Sequence, residues 1–138
     1  MSPSEEEPVS WLYLSVDDVL DIHDRSLLVD GGAPGIRDRG AVELAVERPR
    51  AGFGDTEFYP TAATKAAALF YGLCKNHGFV DGNKRTALGA LLSFLAVNQW
   101  RLDIVDPQEL LDFVLQTADG SLSEADVVDW LQARLEST

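Results

Sequence analysis

Two strongly apolar segments of helical character, joined by a short run that contains glycine, constrain the fold of this chain more than any other feature. Residues 61–76 are rich in alanine and leucine, which favour helix. In residues 84–98 the apolar side chains cover much of the circumference of the predicted helix: Ala87, Leu88, Leu91, Leu92, Leu95 and Ala96. A helix of this kind is usually buried in the centre of a domain. We therefore expect the other segments to pack around it.

The remaining helices are predicted from the signals at their ends. Ser15 and Ser123 each stand three residues before an aspartate, which is the spacing of a capping box. Asp38 indicates a further helix start. Pro107 suits the first turn of a helix that ends near Gly120. The sequence thus predicts an all-α protein.

Two connecting stretches complete the predicted fold. The glycine-rich residues 31–35 end the first helix, and Pro49 ends the second or closely follows it. Residues 50–60 hold two glycines together with Phe53, Phe58 and Tyr59, which favour extended backbone. We interpret them as a loop or short β-hairpin, so that the fold is a compact helical domain with at most a small hairpin.

Length and charge narrow the class of protein. The 138 residues fit one domain, which we place at residues 9–138 after a disordered acidic leader at residues 1–8. The net charge of -12 argues against a nucleic-acid partner, because such proteins present basic surfaces. No apolar run approaches the roughly 20 residues that span a membrane, and we expect a cytoplasmic protein. The single cysteine, Cys74, is predicted to be a small core residue rather than a nucleophile.

The run at residues 77–86, His-Gly-Phe-Val-Asp-Gly-Asn-Lys-Arg-Thr, links the two apolar segments and carries the candidate chemistry. Free backbone N–H groups at a helix start, with the helix dipole behind them, form an anion site. Gly82 permits close approach of the backbone, and Asn83 adds side-chain donors. Lys84 and Arg85 add positive charge in a chain otherwise rich in acids. These four residues predict a phosphate-binding site.

Two further side chains of the run suit catalysis. Asp81 offers a hard oxygen ligand for Mg²⁺, which proteins commonly hold with one or two carboxylates and the phosphates of a substrate. His77 suits a general base, because histidine exchanges a proton near neutral pH. Taken singly, each residue also has a purely structural interpretation, such as a polar turn or a cation at a helix end. Together they indicate phosphoryl transfer, and the residues alone leave the structural alternative open.

This run resembles the signature of the Fic/Doc family, His-x-Phe-x-acid-Gly-Asn followed by Gly or Lys and then Arg. It is more specifically similar to the Doc ("death on curing") branch, which has a lysine after the asparagine, as here at Lys84. Stretches at residues 22–24, 31–38 and 47–50 are also similar to Doc-type sequence. The resemblance covers roughly residues 11–135, nearly the whole chain.

The resemblance implies a compact helical fold. It also implies an enzyme that uses ATP as co-substrate and Mg²⁺ as cofactor. It implies that His77 removes a proton from a protein hydroxyl and that Asp81 holds Mg²⁺. Arg85 would also stabilise charge in the transition state, and Phe79 would anchor the loop in the core. Residues 50–60 would form a flap that lines up the target segment. The residues implied to bind the nucleotide phosphates are Gly82, Asn83, Lys84 and Arg85.

Two positions depart from the nucleotidyl-transferring Fic pattern. Lys84 stands where that pattern has a glycine, and Leu88 stands where it has a second arginine. The Doc branch is similar to this chain at both positions and transfers phosphate rather than AMP. The resemblance therefore implies a kinase acting on a Ser or Thr hydroxyl of a protein, which is elongation factor Tu in the Doc branch.

The resemblance also implies a partner. No internal inhibitory segment of the Fic kind is recognised in the sequence, so we expect a toxin of a type II toxin–antitoxin system that is restrained by a separate Phd-like antitoxin. Two alternatives stay open. One is a Fic-type transferase of AMP or another nucleotide, and the other is a catalytically idle binding module on the same fold.

Overall fold

The structure is a computed structural model that describes residues 10–138, so the acidic leader predicted at residues 1–8 lies outside the described residues. The described part contains six α-helices: α1 (Val16–Asp30), α2 (Arg39–Glu47), α3 (Ala62–Lys75), α4 (Asn83–Val97), α5 (Pro107–Asp119) and α6 (Glu124–Gln132). A 3-10 turn at Arg48–Arg50 follows α2. Two short antiparallel strand pairs accompany the helices: β1 (Gly52–Phe53) with β2 (Thr56–Glu57), and β3 (Trp100–Leu102) with β4 (Leu135–Ser137). The all-α fold and the small hairpin within residues 50–60 are confirmed.

The predicted helix starts are confirmed at atomic detail. The hydroxyl of Ser15 accepts a hydrogen bond from the Asp18 N–H at 3.1 Å, and the Asp18 carboxylate accepts one from the Ser15 N–H at 2.8 Å. Ser123 forms the same reciprocal pair with Asp126. Asp38 caps α2 by accepting from a backbone N–H of its first turn. These bonds satisfy donors that a helix start otherwise leaves free.

The most deeply buried helix is α3, which corrects the expectation that residues 84–98 form the centre. Of the 14 residues in α3, 11 are buried, and the helix packs against α2, α4, α5 and α6. Helix α4 packs against α1, α3 and α5 but leaves Leu92 and Ala96 exposed. Those two side chains form the wall of an apolar hollow beside β3 and the start of α5. The apolar character of a helix thus did not predict which helix is most buried. Helix α3 is more buried than α4 because it packs against four other helices rather than three.

The β3–β4 pair was not predicted. Trp100 pairs with Ser137, and Leu102 pairs with Leu135. Helix α6 ends at Gln132, and the chain then turns to form β4. A strand pair between segments so distant in sequence leaves no local pattern. Among the residues that the structure describes, no helix combines the length and apolar character that crossing a membrane demands.

Candidate active site

The candidate motif forms the connection between α3 and α4, the two helices that pack most extensively against each other. Helix α3 ends at Lys75, and His77 follows in the left-handed region with a φ of 48°. Gly82, with a φ of 78°, is the residue before the first turn of α4. This positive φ is readily adopted by glycine because it has no Cβ atom. The fold therefore presents the start of α4 immediately after the loop that carries His77 and Asp81.

The loop at residues 31–38 braces the motif from outside. The backbone N–H groups of Arg37 and Asp38 donate to the carbonyl of Gly78 at 2.8 and 3.0 Å. The N–H of Val80 donates to the carbonyl of Gly35 at 3.1 Å. A Cβ atom on Gly78 would lie 2.5 Å from a methyl group of Val42, so only glycine lets the loop settle on α2. Backbone hydrogen bonds thus join the loop at residues 31–38 to the motif loop.

Phe79 and Asn83 hold the motif from inside. The ring of Phe79 is buried and stacks on the imidazole of His23, with 3.9 Å between ring centroids. The Asn83 side-chain oxygen accepts from the Phe79 N–H at 3.0 Å, and its amide nitrogen donates to the Phe79 carbonyl at 2.9 Å. Phe79 thus anchors the loop in the core. The Asn83 amide, expected from sequence to contact phosphate, braces the loop with both of its polar atoms.

Asp81 presents an ionised carboxylate at the surface. One carboxylate oxygen accepts from the Ala33 N–H at 3.2 Å, and the other accepts from the Gly82 N–H at 2.8 Å. These two backbone bonds, with smaller contributions from Arg85 and Lys84, hold the pKa of Asp81 below its usual value. Each oxygen keeps a lone pair directed elsewhere. The group therefore remains available as a hard oxygen ligand.

Positive charge is concentrated at the start of α4. This is the one α-helix in the described part of the chain that has no side-chain cap, so its first N–H groups stay free for another acceptor. Lys84 is exposed there, and Arg85 is partly exposed with its guanidinium 3.7 Å from the Asp30 carboxylate. Both the helix dipole and the two side chains favour an anion at this point.

A cleft of about 400 Å³ opens in front of these groups. His77 is exposed and lines it, and the far wall is the end of α5, which contributes Leu115, Ala118 and Asp119. The site residues that the cleft brings together are His77, Asp81, Gly82, Asn83 and Lys84. Arg85 lies at its edge and lines a neighbouring hollow. All six predicted site residues are thus gathered within one region.

The sequence analysis did not predict that the end of α5 forms a wall of the cleft. The Lys75 ammonium donates to the Ala118 carbonyl at 3.3 Å, so it binds the C-terminal end of α5. Asp119 accepts from both the N–H and the hydroxyl of Ser121, which lowers the pKa of its carboxyl group. Neither contact has a sequence signal, because α5 lies far from the motif along the chain.

Two side chains near the motif are structural, and for Cys74 this confirms the prediction from the sequence. His23 is buried, and its Nε2 atom donates to the Asp81 carbonyl at 2.8 Å. Cys74 is buried beneath the cleft, and burial raises the pKa of its thiol to about 12. A thiol that stays protonated at neutral pH is not a nucleophile. Over residues 10–138, no cluster of three or more His, Cys, Asp or Glu side chains could hold a metal with protein ligands alone.

Comparison with known proteins agrees with the resemblance seen in the sequence. A model of the Fic/DOC family matches residues 13–95. The chain is 38% identical over 112 residues to "Toxin Doc" of Mycolicibacterium smegmatis, covering 81% of this chain and 78% of that protein. It is 32% identical over 123 residues to "Protein kinase doc" of Escherichia phage P1, covering 87% of this chain and 93% of that protein. The residues matched by the family model contain the whole motif and the loop at residues 31–38 that braces it.

Proposed function

Because this chain belongs to the Fic/Doc family, we propose that it is a Doc-type toxin that transfers the γ-phosphate of ATP to a Ser or Thr hydroxyl of a protein. The observation that carries the proposal is the convergence of His77, Asp81 and the uncapped start of α4 on one cleft. A base, a metal ligand and a phosphate site are the parts that phosphoryl transfer needs. The relative from phage P1, named as a protein kinase, supports the same reaction.

In the proposed reaction His77 takes the proton of the target hydroxyl. The hydroxyl oxygen then bonds to the γ-phosphorus, while the bond from that phosphorus to the β-phosphate oxygen breaks and ADP leaves. The free N–H groups of α4, with Lys84 and Arg85, bind the phosphates and stabilise the charge of the transition state. Asn83 acts mainly by holding the loop through Phe79.

A Mg²⁺ ion fits the residues present. Asp81 is ionised and faces the cleft, and Mg²⁺ is commonly held by one or two carboxylates together with substrate phosphates and water. Asp81 would hold the ion, whose chemical contribution is to neutralise phosphate charge.

The surroundings of Leu88 favour phosphate transfer over AMP transfer. Leu88 lines an apolar hollow of about 160 Å³ with Leu111, Val114 and Leu115, next to Lys84 and Arg85. The nucleotidyl-transferring pattern has an arginine at this position to hold the outer phosphates. An apolar hollow cannot take that role, so the phosphates are left to the groups at the start of α4.

We further propose elongation factor Tu as the target, with the protein acting in the cytoplasm, and a Phd-like antitoxin as its partner. The name of the relative from M. smegmatis, a toxin, supports a toxin–antitoxin setting. The hairpin β1–β2 would contact the target segment as a flap. Phe53 and Phe58, which are 83% and 58% exposed, give it apolar contact surface beside unpaired strand edges.

The test is incubation of the purified protein with elongation factor Tu and ATP, followed by intact-mass measurement of the target. His77→Ala serves as the control. A gain of about 80 Da that is absent with the variant supports phosphate transfer. A gain matching AMP supports the nucleotidyl-transferase alternative. An unmodified target contradicts elongation factor Tu as the substrate.

A further inference from the structure

Lys65 of α3 is a charged side chain that is completely buried and that the proposed chemistry does not use. Its ammonium group donates to the Tyr13 hydroxyl at 2.9 Å, to the Pro49 carbonyl at 3.1 Å and to the Glu57 carboxylate at 2.9 Å. All three of its donors are therefore satisfied. The centroids of the Trp11 and Tyr13 rings lie 5.3 and 5.2 Å from the same nitrogen. The surrounding side chains and backbone thus form a complete binding site for the Lys65 ammonium group.

The ammonium group joins segments that are separate in the chain. Tyr13 precedes α1, Pro49 lies in the 3-10 turn, and Glu57 lies in β2. Lys65 itself belongs to the first turns of α3 and stands ten residues before Lys75, which places it about 15 Å from the end of the helix beside His77. A change at Lys65 can thus act on the hairpin without touching the motif.

The hairpin strands are short and exposed, and beside the Lys65 contact the residue that follows Phe58 is held by Arg48, which donates to the Tyr59 hydroxyl at 2.9 Å. Each strand is two residues long, and all four strand residues are exposed. A pair of strands this small is not stable without packing against the rest of a protein. The Glu57 side chain is half-exposed, yet it reaches inward to the fully buried Lys65 ammonium. This carboxylate is the only charged partner within 4.0 Å of that ammonium among the described residues. The attraction between the two groups therefore holds the hairpin against the helical part of the protein.

We propose that Lys65 is a positioning residue whose buried ammonium group, through Glu57, fixes the pose of the β1–β2 hairpin and thereby sets how the protein substrate is held. The effect on the substrate rests on the proposed function. The anchoring of the hairpin does not, because it depends only on the contacts of Lys65.

Hydrogen exchange tests the anchoring. In Glu57→Gln, backbone amides of residues 51–58, including the Phe58 N–H that donates to the Ala51 carbonyl, exchange about tenfold faster than in the unaltered protein. Glu43→Gln is the matched control, since Glu43 forms an exposed ion pair with Arg39 in α2. It leaves the exchange of residues 51–58 unchanged. Lys65→Met, which keeps the apolar stem, reproduces the faster exchange while α3 stays protected. Equal exchange in all four proteins overturns the proposal.

Steady-state kinetics with elongation factor Tu and ATP test the effect on the substrate. Glu57→Gln raises the KM for elongation factor Tu about tenfold, while kcat and the KM for ATP stay as in Glu43→Gln. A fall in kcat, or an unchanged KM despite faster exchange, overturns the positioning role. If the unaltered protein transfers nothing to elongation factor Tu, the proposed function fails for that target, and the exchange result still decides whether Lys65 anchors the hairpin.

Discussion

The Nε2 atom of His23 donates a hydrogen bond to the backbone carbonyl of Asp81 at 2.8 Å. Helix α1 contributes no residue to the motif, yet it fixes the residue proposed to hold Mg²⁺. The same imidazole stacks on Phe79, so one buried side chain supports the loop at two points. The geometry of the site is therefore set by residues behind it as well as by the motif.

Replacing His23 separates these two contacts. His23→Phe keeps the stacking on Phe79 but removes the donor, so we expect the free energy of unfolding to fall by about 1–3 kcal/mol and the transfer rate to fall with it. His23→Gln restores a donor and recovers part of both losses. Urea unfolding and initial rates provide the measurements. Full stability and rate in His23→Phe would show that the hydrogen bond has no positioning role.

Gly32→Ala tests the close approach of the 31–38 loop to the site. A Cβ atom on Gly32 would lie 2.7 Å from the Asp81 carboxylate and 3.0 Å from the Arg85 guanidinium. We expect the transfer rate to fall about 100-fold, because small displacements of reacting groups are costly. Gly31→Ala is the matched control: Gly31 also has a positive φ, but its Cβ atom would meet nothing within 4 Å. Equal rates for the two variants would contradict the role given to this contact.

Arg85→Ala tests the phosphate site. Arg85 belongs to the first turn of α4, whose start has no side-chain cap, so the loss of its positive charge should lower kcat/KM for ATP about 100-fold. The control is Arg25→Ala, because Arg25 is exposed and pairs with Asp21 on the outside of α1. We expect that variant to match the unaltered protein in steady-state assays. Similar losses in both variants would point to a general effect of charge rather than to a phosphate site.

Cys74 should be unreactive in the folded protein. Burial raises the pKa of its thiol to about 12, so at about pH 8 almost none of it is the reactive thiolate. A thiol reagent should label the native protein very slowly and label it fully after unfolding in guanidinium. The thiolate fraction rises with pH, so labelling of the native state should quicken only well into the alkaline range. Rapid labelling at neutral pH would contradict the burial of this side chain.

Local patterns in the sequence were sufficient for most of the helices and for the motif. The caps at Ser15, Asp38 and Ser123 depend on residues within one turn, and all three form as predicted. The six site residues lie within nine positions of one another, so their proximity follows from the loop they share. The charge at Lys84 and Arg85 likewise needs no tertiary information to be recognised.

Contacts between distant segments were not accessible to the same reasoning. The burial of Lys65 depends on three other segments meeting around one lysine, and nothing in an alanine-rich helix signals it. The pairing of β3 with β4 and the Asp119 wall of the cleft are of the same kind. The Asn83 amide is bonded to Phe79 because the loop closes on itself. That closure appears only when the backbone path is known.

In the proposed reaction the γ-phosphate of ATP is the group transferred, and His77 is the base. The most direct measurement compares ATP labelled at the γ-phosphate with ATP labelled at the α-phosphate, each incubated with the protein and elongation factor Tu. We predict that label enters the target from γ-labelled ATP only, and that His77→Ala lowers this incorporation about 100-fold or more. Incorporation from α-labelled ATP would contradict phosphate transfer and the interpretation of Lys84 and Leu88.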